Sequence, residues 1–349
     1  MLNKVQPQIL GFIGLSVLLS TLARASESQL HLFSFIRLNQ TNTFGFIFLA
    51  SAISFCVNRQ LSLDFALKNI NLNYLIKYYL RVFFLILPLY WIVLIIMFII
   101  YNLGIQKTGL IDNAGMLYAF MSFSELSMNF YFVHILLLYF ILCPLINFLL
   151  DKITKWNFLL IIFLVLLAVV IVEFINQNVP FGKFNLMRYL SVFLISSLAA
   201  YTVNFSSLIK SLKDRNLKIL NHFASLSIIL IILSFKSVSE YLFKLPSSFT
   251  LQSFYIYYAL LASIIILSSL YGDGILKSIL KSSPLKLLGT ISIGFYLIHW
   301  PALITTYNST IVPASTKVYV YLALLFFFGL LSYFLVISPL LKVLDRSKF

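Results

Sequence analysis

The sequence predicts an all-α membrane protein, a polytopic helix bundle with about ten transmembrane helices and both termini in the cytoplasm. Two observations predict this class. Of the 349 residues, 61% are hydrophobic and only 10% are charged, whereas about a quarter of the residues in a soluble domain are charged. The apolar residues also gather in runs that repeatedly reach the roughly 20 residues that a helix needs to cross a bilayer.

Ten apolar segments follow one another along the chain, and we predict that each forms a span. They cover residues 9–23, 44–57, 82–102, 128–150, 156–175, 186–204, 219–235, 253–271, 285–305 and 318–341. No connecting segment is long enough for a soluble domain, since the longest has about 25 residues. We therefore expect residues 1–349 to form a single integral-membrane domain.

The first segment has a second interpretation. Lys4, a short apolar core and the sequence Ala23-Arg24-Ala25 also match a cleavable secretory signal peptide. We favour an uncleaved helix, because a chain with nine further spans does not need a removable signal. Between the second and third segments, residues 58–78 predict an amphipathic helix on the cytoplasmic surface.

The basic residues predict the orientation of the bundle. The net charge is +15. With the N-terminus in the cytoplasm, 17 of the 25 Lys and Arg residues lie in cytoplasmic segments and 8 in outer segments, as the positive-inside rule requires. Anionic lipid headgroups account for a basic surface of this kind. We therefore expect the bilayer, and no nucleic acid, as a partner.

The cysteines and histidines predict neither a disulfide nor a metal site. Cys56 and Cys143 both lie inside apolar runs, which is typical of free buried thiols. The four histidines include no pair at the spacing of metal ligands. We expect no metal cofactor.

Several stretches carry recognisable motifs. Residues 44–55, FGFIFLASAISF, form an aromatic-rich helix, and residues 78–91, YYLRVFFLILPLYW, combine a basic start with Pro-x-Tyr-Trp. Residues 286–301 read KLLGTISIGFYLIHWP, and Ser332-Tyr333 and Pro339 lie in the last segment. In this order they resemble the membrane-bound acyltransferase family 3, the O-acetyltransferases of bacterial surface polysaccharides. The resemblance covers most of the chain and is most specific at residues 284–301.

This resemblance implies a multi-pass O-acyltransferase of the bacterial inner (plasma) membrane. The expected reaction transfers an acyl group, with acetyl the favoured one, from acyl-CoA to a hydroxyl of a cell-surface or lipid-linked glycan. Such O-acetylation modifies polysaccharides of the cell envelope. Two alternatives stay open. One is a catalytically degenerate family member that binds or passes a glycan, and the other is a polysaccharide polymerase or flippase-type membrane protein.

The catalytic base is where the sequence departs from the family. Members usually carry a basic residue early in the first helix and a histidine near its outer end, but Gly11 and Thr21 or Leu22 occupy those positions here. A hydroxyl acceptor needs a base, and histidine suits this role near neutral pH. The candidates for catalysis are His31, His134 and His299. The structural alternatives are a solvated loop residue for His31 and interhelical packing for His134 and His299.

Three further residues are predicted to bind substrate or acyl donor. Arg81 precedes an apolar segment, so it either anchors that helix at the interface or binds a phosphate of coenzyme A in bidentate geometry. Tyr296 lies three residues before His299 and shares its helix face. Ser292 lies about two turns before His299. We predict Arg81, Tyr296 and Ser292 as binding residues.

Overall fold

The described parts of the chain are helical apart from short connections. The structure is a computed structural model, and it describes residues 6–27, 41–66, 71–102, 131–153, 167–169, 171, 186–204, 217–233, 254–272, 274–313, 316–340 and 342. A bilayer interior offers no water to bond the backbone, so a helix, which pairs its own N–H and C=O groups, is the structure that such apolar segments adopt. The all-α class is therefore confirmed for the described residues.

Ten helices are labelled here in chain order. They are α1 (Pro7–Glu27), α2 (Thr41–Ala66), α3 (Leu72–Asn102), α4 (Tyr131–Ile153), α5 (Leu186–Asn204), α6 (Leu217–Leu233), α7 (Phe254–Tyr271), α8 (Ile275–Leu280), α9 (Ser283–Asn308) and α10 (Lys317–Ser332). After α10 the chain continues as one π-helical segment, Tyr333–Ile337, which packs on α3 and α9. Nine of these helices coincide with predicted segments, and α8 is a short helix that the sequence pattern did not predict.

Within the described part of the chain, three helices are long and apolar enough to cross a bilayer: Leu72–Met97, Ser283–Asn308 and Lys317–Leu340. Six shorter apolar helices accompany them. The predicted segment 156–175 lies almost wholly outside the described residues. The number of ten spans and the cytoplasmic placement of the termini therefore stay predictions.

The prediction of a separate amphipathic helix at residues 58–78 is wrong. The first part of that stretch continues α2 to Ala66, and the second part already belongs to α3, which begins at Leu72. The physical reason is that a helix does not end where its apolar run ends. Polar residues extend it past the apolar run at little cost once the preceding turns are formed.

The helices pack in a closed cycle. Helix α1 packs on α2, α2 on α4, α4 on α3, α3 on α9, and α9 again on α1. Helices α5 and α7 lie against α2, and α10 lies against α9. Two contacts show that α9 and α10 run antiparallel. The Lys317 ammonium, at the start of α10, donates to the Tyr307 carbonyl near the end of α9. Further along α10, Phe326 meets Phe295 in the first half of α9, with ring centroids 5.4 Å apart.

Glycines allow α1 to approach α8 and α9 backbone to backbone. A Cβ atom added at Gly11 would lie 1.8 Å from the carbonyl oxygen of Leu280, and one added at Gly289 would lie 1.9 Å from that of Leu10. A Cβ at Gly14 would lie 2.2 Å from the Leu285 carbonyl oxygen. Small residues at such crossings are how membrane helices gain van der Waals contact without a hydrophobic driving force. We call this the glycine contact.

We predict that Gly11→Ala destabilises the protein and that Gly329→Ala does not. At Gly11 the new methyl group meets a backbone carbonyl, so the helices must separate, at a cost of about 1–3 kcal/mol. At Gly329 the nearest atom is Cδ1 of Ile291 at 3.3 Å, the movable end of a side chain, and the helix propensity of alanine offsets the contact. Thermal unfolding in detergent checks this, and equal melting temperatures for the two variants would contradict the glycine contact.

Candidate active site and a buried polar cluster

His299 and Tyr296 lie together inside the bundle on α9. The His299 side chain is 1% exposed, and its ring centroid lies 5.0 Å from that of Tyr296, as their helical spacing predicts. The Nδ1 atom of His299 contacts the Tyr296 carbonyl oxygen. A carbonyl oxygen only accepts hydrogen bonds, so Nδ1 carries the proton in the neutral ring. The lone pair of the imidazole is then on Nε2, the atom through which a base acts.

No contact that we observe among the described residues joins His299 to Ser292 or Arg81, the other two predicted binding residues. Ser292 is buried on α9, about two turns before His299. Arg81 is half-buried on α3, in the turn that follows Tyr78. Helix α3 packs on α9, so the helices that carry Arg81 and Ser292 are neighbours. Whether these residues bind substrate stays a prediction.

The remaining candidates for the base lie elsewhere. His31 lies outside the described residues, and of His134 only the position of its backbone, on α4, is described. Thr21 is buried, and its hydroxyl donates to the carbonyls of Val17 and Leu18 at 3.0 and 2.9 Å. Gly11 faces the backbone of α8 and leaves no room for the basic residue expected there. The departure in the first helix is therefore a packing feature of this chain.

A buried polar cluster joins α2, α4 and α5. Its members share the interior between these helices, and each is at most 1% exposed. They are Ser54, Asn58, Tyr139, Cys143, Asn147 and Ser197. The Tyr139 hydroxyl lies 2.7 Å from the Ser54 hydroxyl and 3.3 Å from the Ser197 hydroxyl, and its ring stacks on Phe193 at 3.9 Å. Hydrogen bonds between membrane helices of this kind hold them in register.

Asn58 and Asn147 link α2 to α4 further along these two helices. Nδ2 of Asn58 donates to the Ser54 carbonyl oxygen at 2.7 Å and contacts the Tyr139 hydroxyl. Its Oδ1 accepts from Nδ2 of Asn147 at 2.6 Å and from the thiol of Cys143 at 3.1 Å. Ser54 thus pairs with Tyr139 and Asn58 with Asn147, so α2 and α4 run parallel.

Helix α3 adds two tyrosine hydroxyls that bond to the backbone of α4. The Tyr78 hydroxyl donates to the Phe140 carbonyl oxygen at 3.0 Å, and Tyr79 donates to the Ile141 carbonyl oxygen at 3.2 Å. Two cations, Lys77 and Arg81, stand on either side of Tyr78 in the sequence, and Arg59 directly follows Asn58. Basic residues therefore follow a cluster residue in the sequence of α2 and flank Tyr78 in the sequence of α3.

This cluster was not predicted from the sequence, although a signal for it is present. Tyr139, Cys143 and Asn147 are spaced four residues apart, which places them on one face of a helix, and Ser54 and Asn58 repeat the spacing on α2. The prediction that Cys143 is a free buried thiol is confirmed, and Cys56 is free but only partly buried. What the spacing does not reveal is which two faces meet.

The apolar helices and their buried polar contacts define an integral membrane protein. The sequence model of acyltransferase family 3, described as an acyltransferase domain, matches residues 45–343. The chain belongs to this family, as its motifs predicted, and the match supports acyltransferase activity. No curated protein and no solved structure matches the chain significantly. The matched region begins within α2, so α1 and its Gly11 lie before it.

We predict that Asn58→Leu destabilises the protein, whereas Ser225→Ala leaves its stability unchanged. Asn58 uses both ends of its amide, and its Oδ1 accepts from Nδ2 of Asn147 and from the Cys143 thiol. Its loss leaves one N–H of Asn147 without an acceptor, and a buried group stranded in this way costs about 1–3 kcal/mol. Ser225 is exposed on α6, and its hydroxyl bonds to its own helix at Asn221. Unfolding in detergent, followed by circular dichroism, measures both. Equal stability of Asn58→Leu and the wild type would show that the cluster does not hold α2 to α4.

Proposed function

We propose that this protein transfers an acyl group, acetyl in the favoured case, from acyl-CoA to a hydroxyl of a cell-surface or lipid-linked glycan at the bacterial inner membrane. The observation that carries the proposal is the match to the acyltransferase family over residues 45–343. The apolar helices support the membrane location, and the motif at residues 284–301 supports a surface-glycan acceptor through its resemblance to the polysaccharide O-acetyltransferases.

His299 is the base in this proposal. Its Nε2 takes the proton of the acceptor hydroxyl while the oxygen attacks the thioester carbonyl. The tetrahedral intermediate then collapses, the carbon–sulfur bond breaks, and the coenzyme A thiolate leaves and receives the proton. The support for His299 is its contact from Nδ1 to the Tyr296 carbonyl, which orients the ring as second partners do in other catalytic histidines. Tyr296 and Ser292 lie on the same helix as positions for the substrate.

The reaction itself is tested with purified protein in lipid nanodiscs. We expect labelled acetyl-CoA to be consumed in the presence of membrane glycan and the label to appear on that glycan. In cells, mass spectrometry of surface glycans from a deletion strain should show the loss of acetyl groups. Protein that neither binds nor hydrolyses acetyl-CoA would contradict the proposal. A change in glycan chain length with acetylation intact would indicate a polymerase or flippase.

We predict that His299→Asn lowers the turnover number by a factor of about 100 or more, the usual share of a general base. Asparagine keeps a donor for the Tyr296 carbonyl but has no basic nitrogen. The matched control is His222→Asn, since His222 is exposed on α6 and its loss should change nothing. Turnover and KM for acetyl-CoA are measured in nanodiscs. An unchanged turnover in a folded His299→Asn protein would remove His299 as the base.

We predict that Arg81→Ala raises the KM for acetyl-CoA about tenfold, which corresponds to about 1.4 kcal/mol, and leaves the turnover number unchanged. A guanidinium bound to a phosphate holds the donor away from the reacting carbonyl, so it affects binding alone. Lys281→Ala is the control, because Lys281 is an exposed cation after α8. If both variants raise the KM equally, the effect is one of general surface charge and Arg81 has no specific role.

One observation favours the degenerate alternative. The backbone of α8 excludes a basic side chain at Gly11, and the hydroxyl of Thr21 is bonded within its own helix. A family member without a base would bind glycan or acyl-CoA and transfer nothing. Intact glycan acetylation in strains carrying His31→Ala, His134→Ala and His299→Ala, one at a time, would exclude each of these histidines as the sole base. Binding of acetyl-CoA by protein that shows no transfer would establish the degenerate alternative.

A further inference from the structure

One atom of the polar cluster lacks a partner. The side chain of Asn147 is 1% exposed, and its Oδ1 atom is buried with no hydrogen-bond donor within reach among the described residues. An amide oxygen taken from water without a new donor costs about 1–3 kcal/mol on the scale of protein mutations. Such an atom needs a partner, and an ordered water or a bound molecule completes the hydrogen bonding at sites of this kind.

The contacts of Asn147 fix which end of its amide is open. Its Nδ2 faces two acceptors, Oδ1 of Asn58 at 2.6 Å and the Cys143 carbonyl oxygen at 2.9 Å. The Cys143 carbonyl cannot donate, so the nitrogen must be on that side and the oxygen on the other. Asn58 is fixed in the same way by the Ser54 carbonyl. The open position is therefore an acceptor, and the missing group is an N–H or O–H donor.

The surroundings favour a neutral donor, such as an amide N–H. The cluster is made of amides, hydroxyls and a thiol, with no charged side chain among its members, so a phosphate or carboxylate has no counter-charge there. Cations instead lie beside it in the sequence, as Arg59 after Asn58 and as Lys77 and Arg81 around Tyr78. A ligand that matches this arrangement has a neutral amide chain joined to a phosphorylated head.

The pantetheine arm of coenzyme A has these features. It carries two secondary amides between the thioester and the phosphates, and each amide has an N–H donor. Asn58 and Asn147 lie in the second halves of α2 and α4, which run parallel, and the charge pattern predicts that the ends of both helices lie towards the cytoplasm, where coenzyme A is found. We propose that Oδ1 of Asn147 accepts a hydrogen bond from one pantetheine amide N–H of the acyl donor. This inference rests on the acyl-CoA donor of the proposed function.

The first arm of the test uses wild-type protein in nanodiscs and changes the ligand. Binding of acetyl-CoA is compared with that of two analogues, in each of which one pantetheine amide N–H is replaced by an ester oxygen. We expect one analogue to bind about tenfold more weakly, the effect of one lost hydrogen bond of about 1.4 kcal/mol. Adenosine 3′,5′-bisphosphate, which lacks the arm, serves as the probe for the phosphate contacts.

The second arm changes the protein. Asn147→Leu should bind acetyl-CoA about tenfold more weakly than the wild type and should no longer distinguish that analogue from acetyl-CoA, while its affinity for adenosine 3′,5′-bisphosphate stays unchanged. The matched control is Ser263→Ala on α7. Ser263 is also buried, and its hydroxyl has no partner among the described residues, but it lies outside the cluster. Its loss should not alter any of these affinities.

The outcomes separate this inference from the proposed function. If the wild type binds acetyl-CoA and both ester analogues equally, Asn147 does not hold the arm, although the acyltransferase proposal stands. If the wild type binds no acetyl-CoA at all, both proposals fail. If Asn147→Leu does not fold, the ligand arm alone decides. A structure of the acetyl-CoA complex with only water on Oδ1 of Asn147 would also overturn the inference.

Discussion

The need to pair every polar group inside the protein governs this structure. An apolar segment in a bilayer forms a helix because only a helix bonds its own backbone, and the same need controls the side chains. Ser16, Ser20 and Thr306 donate to carbonyls four residues earlier in their own helices, at 2.7, 2.8 and 2.7 Å. Such hydroxyls are satisfied without a neighbouring helix. Asparagine amides cannot be satisfied in this way at both ends, so Asn58 and Asn147 lie where two helices meet.

The glycine contact solves the complementary problem of holding apolar helices together. Lipid tails are as apolar as leucine, so α1 gains by approaching α8 and α9 only if the backbones come close. Gly11 serves this approach, and its position is also where the family usually has a basic residue. One site cannot provide both close packing and a long charged side chain. The altered first helix thus follows from packing, and any proton acceptor has to come from another helix.

Helix α3 connects the two regions that the proposals use. It packs on α9, which carries His299 and Tyr296, and on α4, which carries Asn147. Arg81 lies on α3 itself, one turn from the Tyr78 hydroxyl that bonds to α4. In the proposed reaction the cations of α2 and α3 bind the donor phosphates, the polar cluster receives the amide arm, and α9 supplies the base. The proposed reaction therefore needs residues of four helices, α2, α3, α4 and α9, which only the tertiary structure brings near one another.

The sequence by itself determined the class, the places of nine helices and the family, because each depends on local properties. Length and hydropathy decide whether a segment becomes a helix, and short motifs such as that at residues 284–301 identify the family. Even the shared face of Tyr296 and His299 follows from helical spacing. Only the tertiary structure decided that Asn58 meets Asn147, that Gly11 faces Leu280, and that an amide oxygen is left open. These facts depend on which helix faces meet, and apolar helices present several nearly equivalent faces until small residues and hydrogen bonds select one.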